Sequence, residues 1–134
     1  ANVDRALLAL VGALQQGSDD TVANACGALA NVAEGHDENK ALIGHTPDAI
    51  AVLVKVACTA QTDVGTANAV CTLANLAADN AANKRRISST PGALQILVQL
   101  VASGTPETRS NAACALANLL ADDEETKVAY AQIP

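Results

Sequence analysis

Hydrophobic residues recur along most of the chain every three or four positions, which is the spacing of one face of an α-helix. Glycines, prolines and short polar turns divide the chain into segments that carry this spacing. In the first segment the apolar positions are Leu7, Leu8, Leu10, Val11 and Leu14. The pattern predicts helices over about 4–16, 19–34, 37–43, 47–56, 64–78, 81–87, 91–101 and 107–121, followed by a short helix that begins near Asp123.

Residues with known capping chemistry mark several of the predicted helix starts. Asp37 is expected to cap the short helix that follows it, because an Asp side chain accepts backbone N–H groups at a helix start. Pro47 and Pro91 are expected in the first turn of the medium-length helices, where a missing N–H is tolerated. Acidic groups at the starts complement the helix dipole; they are Asp19-Asp20, Asp37-Glu38 and Asp122-Asp123-Glu124-Glu125.

Three of the predicted helices carry nearly the same sequence. The segments 24–33, 68–77 and 111–120 each begin with Asn-Ala and each contain Leu-Ala-Asn near their end. That second asparagine lies at positions 31, 75 and 118, which gives a repeat period of 44 and then 43 residues. Between copies the order is a short, a medium and a long helix. Three helices in a unit of this length predict one stacked helical array of the armadillo or HEAT type, and the spacing leaves both types open.

The composition agrees with an all-α fold. Half of the residues are hydrophobic, and Tyr130 is the only aromatic residue. A core of this kind depends on Ala, Leu, Val and Ile, whose side chains allow close helix packing. Alanine is also the best helix former.

The charge of the chain excludes one class of partner. The net charge is −6, whereas a phosphate backbone requires clustered Lys and Arg, so we expect no nucleic acid partner. The basic run Lys84-Arg85-Arg86 is too short for a binding arm and is expected to be a solvated helix face. No apolar run reaches membrane-spanning length, so no membrane partner is expected.

The four cysteines indicate neither a disulfide framework nor a metal site. The sequence contains no Cys-x-x-Cys pair, so a reducing intracellular location, cytoplasmic or nuclear, is expected. Cys71 and Cys114 occupy equivalent positions in neighbouring repeats, about 10 Å apart at usual helix-packing distances, which is too far for a disulfide. No phosphate loop, nucleophile elbow or zinc-protease helix is present, so we expect no enzyme activity and no cofactor.

Three sets of residues resemble the armadillo repeat family. The repeated helices carry Ala-x-x-x-Leu-Ala-Asn, which looks like the third helix of that family. Segments 39–43 and 83–87 match its Asn-x-x-x-Ile element, and segments 49–54 and 92–98 resemble its Gly-Ala-Ile-Pro-x-Leu-Val element. The resemblance covers essentially the whole chain.

The resemblance implies an all-α, right-handed α-solenoid of armadillo repeats, with three helices in each repeat of about 43 residues. Two full and two partial repeats are expected, because the first copy lacks its short helix and the pattern stops as another medium helix begins. Residues 1–134 are therefore interpreted as one armadillo domain that is an excerpt of a longer array. No capping sequence is visible, and uncapped ends are expected to promote homo-oligomers.

Six asparagines occupy equivalent helix positions, although Asn is unfavourable inside helices. They lie seven residues apart within each copy, on one face of the helix. One interpretation is that each amide bonds the backbone of the neighbouring repeat. The other is that the amides, which carry both donors and an acceptor, hold the backbone of a partner. The six are Asn24, Asn31, Asn68, Asn75, Asn111 and Asn118.

The resemblance assigns these asparagines to a binding groove. In the armadillo family the third helices line a concave face, and the asparagine matching Asn31, Asn75 and Asn118 grips an extended peptide. Nuclear-import receptors of the family carry Trp four residues earlier, where this chain has Gly27, Cys71 and Cys114. The groove floor is therefore expected to be small, neutral and nearly flat, and able to accept an extended peptide, a helix or a broad protein surface.

The sequence thus predicts a protein-binding scaffold that engages a polypeptide along the concave face. The alternative function is a purely architectural spacer or self-assembly module. A nuclear-import receptor is the third hypothesis and is weakened by the missing tryptophans.

Overall fold

The computed structural model describes residues 2–121 and 124–134. Within these ranges the chain is entirely helical and contains no strand, which confirms the all-α prediction. The predicted start near Asp123 lies outside the described residues. The helices are α1 (Asn2–Gln16), α2 (Asp19–Ala33), α3 (Asp37–His45), α4 (Ala49–Thr59), α5 (Asp63–Ala77), α6 (Ala81–Ser89), α7 (Ala93–Ser103), α8 (Pro106–Leu120) and α9 (Glu124–Ala131).

The helices repeat in the order short, medium and long. The sets α3–α4–α5 and α6–α7–α8 are complete units, and α9 is a short helix. The pair α1–α2 occupies the places of a medium and a long helix, although α1, with 15 residues, is longer than the 11-residue α4 and α7. The long helices pack side by side, α2 on α5 and α5 on α8, and each medium helix packs on the long helix that follows it. The result is a helical stack in which each unit contacts its neighbours.

The core of the stack is aliphatic. Long side chains from each helix type, such as Leu29, Leu53 and Ile87, are fully buried. Ala69 and Ala112 are also fully buried at equivalent positions of α5 and α8, where their small side chains let neighbouring helices approach. Among the described residues no single helix is long and apolar enough to cross a membrane, and the pair α3 and α4 meets that test only jointly, with a bend of 86° between them.

Side chains one residue outside each long helix cap its start. The hydroxyl oxygens of Ser18, Thr62 and Thr105 each accept one backbone N–H, that of the residue three positions later in the chain. The short helix α3 is capped by His36, whose Nδ1 accepts the Asn39 N–H at 3.2 Å. The prediction that Asp37 caps α3 is therefore wrong, because Asp37 is already the first helical residue and only adds negative charge to the first turn.

The medium helices begin later than their prolines predict. Helix α4 starts at Ala49 and α7 at Ala93, because Asp48 and Gly92 have left-handed backbone angles, with φ of 65° and 83°. Such a residue breaks the helical path, so Pro47 and Pro91 lie in a turn instead of the first helical turn.

A buried amide joins the short helices α3 and α6. Asn83 is fully buried, and its Nδ2 donates to the carbonyls of Lys40 at 2.9 Å and Leu76 at 3.0 Å. Its Oδ1 accepts a hydrogen bond from Arg86 Nη1 at 3.1 Å. A Cβ at Gly44 would overlap this oxygen, so glycine is required where α3 approaches α6.

Lysines cap the far ends of two long helices. Lys40 Nζ donates to the carbonyl of Ala78, just beyond α5, at 3.1 Å, and Lys84 Nζ donates to that of Ala121, just beyond α8, at 3.4 Å. Positive charge at a helix C-terminus complements the dipole and satisfies a free carbonyl. Lys84 is half-buried, so the solvated face predicted for the basic run applies only to Arg85, which is exposed.

We predict that Asn83→Ala lowers the free energy of unfolding by about 2 kcal/mol, because it removes two donors from a buried site. The matched control is Asn39→Ala, since the equivalent half-buried amide of α3 donates to one carbonyl, Val32, at 2.9 Å. The control should cost about 1 kcal/mol or less. Urea unfolding measures both, and equal losses in the two variants would contradict the structural role given to Asn83.

Candidate functional site

The structure places the nine predicted site residues along the side-by-side long helices α2, α5 and α8. Within α5 and α8 the cysteine lies between the two asparagines, with its Sγ 3.9 Å from Nδ2 of the second. Gly27 of α2 faces Asn68 of α5, because a Cβ built on it would lie 3.3 Å from Asn68 Nδ2. The residues are Asn24, Gly27 and Asn31 of α2, Asn68, Cys71 and Asn75 of α5, and Asn111, Cys114 and Asn118 of α8.

These residues remain accessible to solvent to different degrees. Asn24 and Asn31 of the first copy are exposed, as is Cys114. The asparagines of α5 and α8 are half-buried, like Gly27 and Cys71. We call the six asparagines the amide row. A cavity of about 160 Å³ lies elsewhere, between α1, α2, α4 and α5, and no residue of the row lines it.

One hydrogen bond recurs along the amide row. Each asparagine of α5 and α8 donates through Nδ2 to a backbone carbonyl of the preceding long helix. On that preceding helix, the accepting carbonyl always belongs to the residue just before the equivalent asparagine. The bonds run from Asn68 to Ala23 at 3.0 Å, from Asn75 to Ala30 at 3.0 Å, from Asn111 to Ala67 at 3.2 Å, and from Asn118 to Ala74 at 3.0 Å.

The accepting carbonyls already belong to helical hydrogen bonds. The carbonyl of Ala30 also accepts the N–H of Glu34 at 3.0 Å, and that of Ala74 accepts the N–H of Ala78 at 3.2 Å. A carbonyl oxygen has two lone pairs, so it can take both donors. The amides therefore add bonds between repeats without removing any from the helices.

These bonds determine which atom of each amide remains available for further contacts. A carbonyl can only accept, so the nitrogen must point to it and Oδ1 must point away. Among the described residues, none of the Oδ1 atoms of the row has a hydrogen-bond partner, and no side-chain oxygen that lacks a partner is buried. In α5 and α8 the row consequently presents accessible acceptors, with one N–H of the second asparagine already directed to a cysteine sulfur.

The structural interpretation of the asparagines and the partner-binding one are thus compatible, because the bond to neighbouring backbone uses Nδ2 and leaves Oδ1 accessible. The bond to the neighbouring backbone is present at all four positions where a preceding long helix is described. Asn24 and Asn31 lie on α2, which has no equivalent long helix described before it, and they make no such bond. Their amides keep both donors and the acceptor, whereas the other four have used a donor.

The surroundings of the cysteines on α2 and α5 disfavour the thiolate form. Burial raises the pKa of Cys71, and the nearby Glu34, Cys114 and Glu107 raise it further. Burial raises the pKa of Cys26, on the interior side of α2, to about 12. All four cysteines are free. No group of three or more His, Cys, Asp or Glu side chains suited to a metal ion occurs in the described part of the chain.

Sequence reasoning missed several residues that fix the positions of the long helices. Thr72 Oγ1 lies 3.0 Å from the carbonyl of Cys26, midway between the two asparagine bonds of α5, and 2.8 Å from that of Asn68, so its single proton is shared between the two helices. Lys40 and Lys84 were visible as a pair one period apart, and that repetition was the available signal for their capping role. Thr72 offered no such signal, because Ala28 and Ala115 occupy its equivalent positions.

Comparison of Asn75→Ala with Asn31→Ala should isolate the bond between repeats. Alanine is the better helix former by about 0.5 kcal/mol, so Asn31→Ala should stabilise slightly. Asn75→Ala gains the same propensity but loses the bond to Ala30, so it should be less stable than Asn31→Ala by about 1 kcal/mol in urea unfolding. Equal stabilities would show that the bond contributes nothing.

The thiols should react in an order set by exposure and pKa. We expect a thiol reagent such as dithionitrobenzoate at pH 8 to modify the exposed Cys58 and Cys114 first and the half-buried Cys71 later. Cys26 should react only after unfolding, since little thiolate forms far below its pKa of about 12. Mass spectrometry of partly labelled protein gives the order, and early labelling of Cys26 would contradict the packing of α2.

Comparisons with known proteins agree with this geometry. The family model for the armadillo/beta-catenin-like repeat matches residues 83–121, which span α6, α7 and α8. No curated protein matches the chain.

A solved structure is similar over most of the chain. It is a crystal structure of computationally designed armadillo repeat proteins for modular peptide recognition, with 33% identity and a TM-score of 0.83. The match covers 92% of this chain and 50% of the designed one, so this chain spans about half the length of the designed protein. The three-helix units, the match at residues 83–121 and the similar solved structure show that the chain has the fold of an armadillo repeat solenoid.

Proposed function

We propose that this chain is a protein-binding scaffold that engages a polypeptide along the concave face of its third helices, α2, α5 and α8. The observation that carries the proposal is the amide row, which runs across three long helices packed side by side and leaves accessible Oδ1 atoms on α5 and α8. The structural similarity to designed proteins for modular peptide recognition supports it. The proposal includes no catalytic activity and no nucleic acid or membrane partner.

The chemistry of the row favours an extended partner over a helical one. Acceptor oxygens need N–H donors, and an extended peptide leaves its backbone N–H groups free. A helix uses nearly all of its N–H groups internally, so it could offer only side-chain donors. A row of acceptors also accepts any sequence with a free backbone, so affinity would come from the main chain and selectivity from flanking residues.

The floor between the amides narrows the choice of partner. Gly27, Cys71 and Cys114 are small and neutral, and no aromatic residue stands at these positions to bracket a lysine stem. Glu34 and Glu107 lie near enough to raise the pKa of Cys71, which favours a partner without negative charge. An import receptor for lysine-rich signals therefore remains the weaker hypothesis. The free thiols are consistent with the intracellular location that we propose.

The alternative is an architectural spacer or self-assembly module. The bonds that hold four of the six amides to neighbouring backbone favour this function, because they give the asparagines a structural role without any ligand. Neither Asn24 nor Asn31 makes such a bond, so substitution of these exposed residues tests the binding function without removing a contact between repeats.

The test uses a display library of random peptides of about ten residues, which in extended form would span three helices. Peptides selected on the natural chain should bind Asn31→Ala about five- to tenfold more weakly, because one hydrogen bond is lost. The melting temperature of this variant should stay the same or rise slightly. Isothermal titration measures the affinities.

The matched control is Gln95→Ala, which removes an exposed amide from the medium helix α7. It should leave the affinity unchanged. Peptides that bind Asn31→Ala as tightly as the natural chain would refute the role of the row. A library that yields no binder, together with a lower stability of Asn75→Ala, would favour the architectural function.

A further inference from the structure

The cavity between α1, α2, α4 and α5 lies at an inner junction of the stack. Both α2 and α4 pack on α5, and α1 packs on α2 and α4, so its walls come from four helices in mutual contact. Its volume is about 160 Å³, and a protein cavity of about 150 Å³ accommodates a molecule of the size of benzene. No residue of the amide row lines the cavity, so it is a separate candidate site.

The loop that borders this cavity is longer than its counterparts. Two residues separate α1 from α2 and α7 from α8, whereas three separate α4 from α5. Ala60 directly follows α4, as Gly104 follows α7. Thr62 caps α5, as Thr105 caps α8. Gln61 is therefore the inserted residue, and it lines the cavity.

The same loop carries an exchange of a small and a larger residue. The third residue of α2 is Thr21 and that of α8 is Thr108, and a Cβ built on the loop glycine before either would contact its side chain. In α5 the third residue is Gly65, and the loop has Ala60 in place of glycine. A Cβ on Gly65 would lie 3.3 Å from that of Ala60 and 3.0 Å from the hydroxyl oxygen of Thr62. The cavity is thus lined at this point by a residue without a side chain.

The interior walls of the cavity are aliphatic. Leu14 and Val56 are buried, and Val22 and Ala60 are half-buried. Apart from Gly65, the other lining residues carry polar side chains that are exposed or half-buried, so the cavity opens to solvent on their side. We call them the polar rim; they are Asp19, Thr59, Gln61 and Thr62.

The polar rim offers mainly acceptors to a ligand. Asp19 is the only charged residue of the lining, and its carboxylate makes no hydrogen bond or ion pair within the described part of the chain. Thr59 Oγ1 donates to the carbonyl of Lys55 at 2.8 Å, and Gln61 Nε2 donates to that of Thr59 at 3.1 Å. These bonds leave lone pairs on Thr59 Oγ1 and Gln61 Oε1. The hydroxyl oxygen of Thr62 already accepts the N–H that begins α5.

We propose that this cavity binds a short alkylammonium group, either the side chain of a lysine or a small free primary amine. The aliphatic stem lies against the apolar walls. The ammonium has three N–H donors and no acceptor, which matches the carboxylate and the two neutral oxygens of the rim. Butylammonium is slightly smaller than benzene, so it fits the volume. This binding does not depend on the amide row or on the proposed function.

The charge of the site selects among ligands with the same stem. A carboxylate ligand is repelled by Asp19 and by the net charge of −6. A neutral alcohol can use the apolar walls but gains no charge pairing with the rim. A quaternary ammonium carries the charge but has no N–H to donate. A primary amine alone combines all three features of the site.

The test is a titration of the isotope-labelled chain with butylammonium at neutral pH, followed through its amide chemical shifts. The changes should concentrate on the loop between α4 and α5 and on the first turn of α2. The dissociation constant should be on the order of millimolar for a ligand of this size. Butanol should bind about three- to fivefold more weakly, and tetramethylammonium should cause no such changes.

Two charge variants test the role assigned to the carboxylate. Asp19→Asn keeps the size of the side chain and should weaken the binding of butylammonium about three- to fivefold, while that of butanol stays the same. The matched control is Asp20→Asn, which removes the same charge from an exposed neighbour that does not line the cavity. Equal losses in both variants would show that only the overall charge attracts the amine, which would overturn the site.

A loop variant tests the cavity itself. Deletion of Gln61 together with Ala60→Gly and Gly65→Thr reproduces the loop that this chain uses before α8. This variant should fold, as judged by circular dichroism, and should bind neither butylammonium nor butanol. Val22→Leu is the second variant; it keeps the loop, reduces the volume from α2, and should weaken the binding of both ligands. Unchanged binding in a folded loop variant would refute the assignment.

A peptide distinguishes the two sources of the ammonium group. An acetylated Gly-Lys-Gly amide that binds at least as tightly as butylammonium would assign the cavity to a lysine of a protein partner. Binding about tenfold weaker would assign it to a free amine, because the peptide backbone would then be excluded at the rim. Two results would overturn the inference for both sources: no shift changes around the cavity far above millimolar butylammonium, or butanol that binds as tightly as the amine.

Discussion

The arrangement of this protein depends on helix carbonyls that accept two hydrogen bonds. One donor is the backbone N–H four residues later, and the other is the asparagine amide of the next repeat. The carbonyls of Ala30 and Ala74 show both donors. Aliphatic packing between long helices is compatible with small shifts along their axes, whereas a directional bond at 3.0 Å is not. These bonds therefore fix the register of α2, α5 and α8.

The same bonds determine what the exposed face can recognise. By committing Nδ2 to the neighbouring repeat, each amide of α5 and α8 leaves its oxygen as the group offered to a partner. The structural role and the proposed recognition role of these residues are therefore compatible, because they use opposite ends of one amide. Between the two asparagines of α5, burial and nearby carboxylates raise the pKa of Cys71, which favours its uncharged thiol. The resulting surface is a row of acceptors on an uncharged floor.

Other buried or half-buried polar groups also hold the helices of the stack in place. Lys40 and Lys84 cap the ends of α5 and α8, and the buried Asn83 joins α3 to α6. Asn83 links neighbouring units, whereas each lysine joins the short and the long helix of its own unit.

The sequence by itself determined the repeat period, the three helix lengths, the aliphatic core and the positions of the asparagines, because these follow from local spacing and helix propensity. It also indicated the family, through the motifs around Asn31, Asn75 and Asn118. The helix starts were partly wrong, since the cap at His36 and the left-handed Asp48 depend on backbone geometry that residue types do not specify.

Only the tertiary structure decided where the polar groups point. The partner of Asn75 lies 45 residues away, and one partner of Asn83 lies 43 residues away. Such pairs depend on how one repeat packs against the next, and the local sequence does not specify that packing. The period placed the amides on one face, but the stacking determined that their nitrogens bind the neighbouring helix and their oxygens face outward.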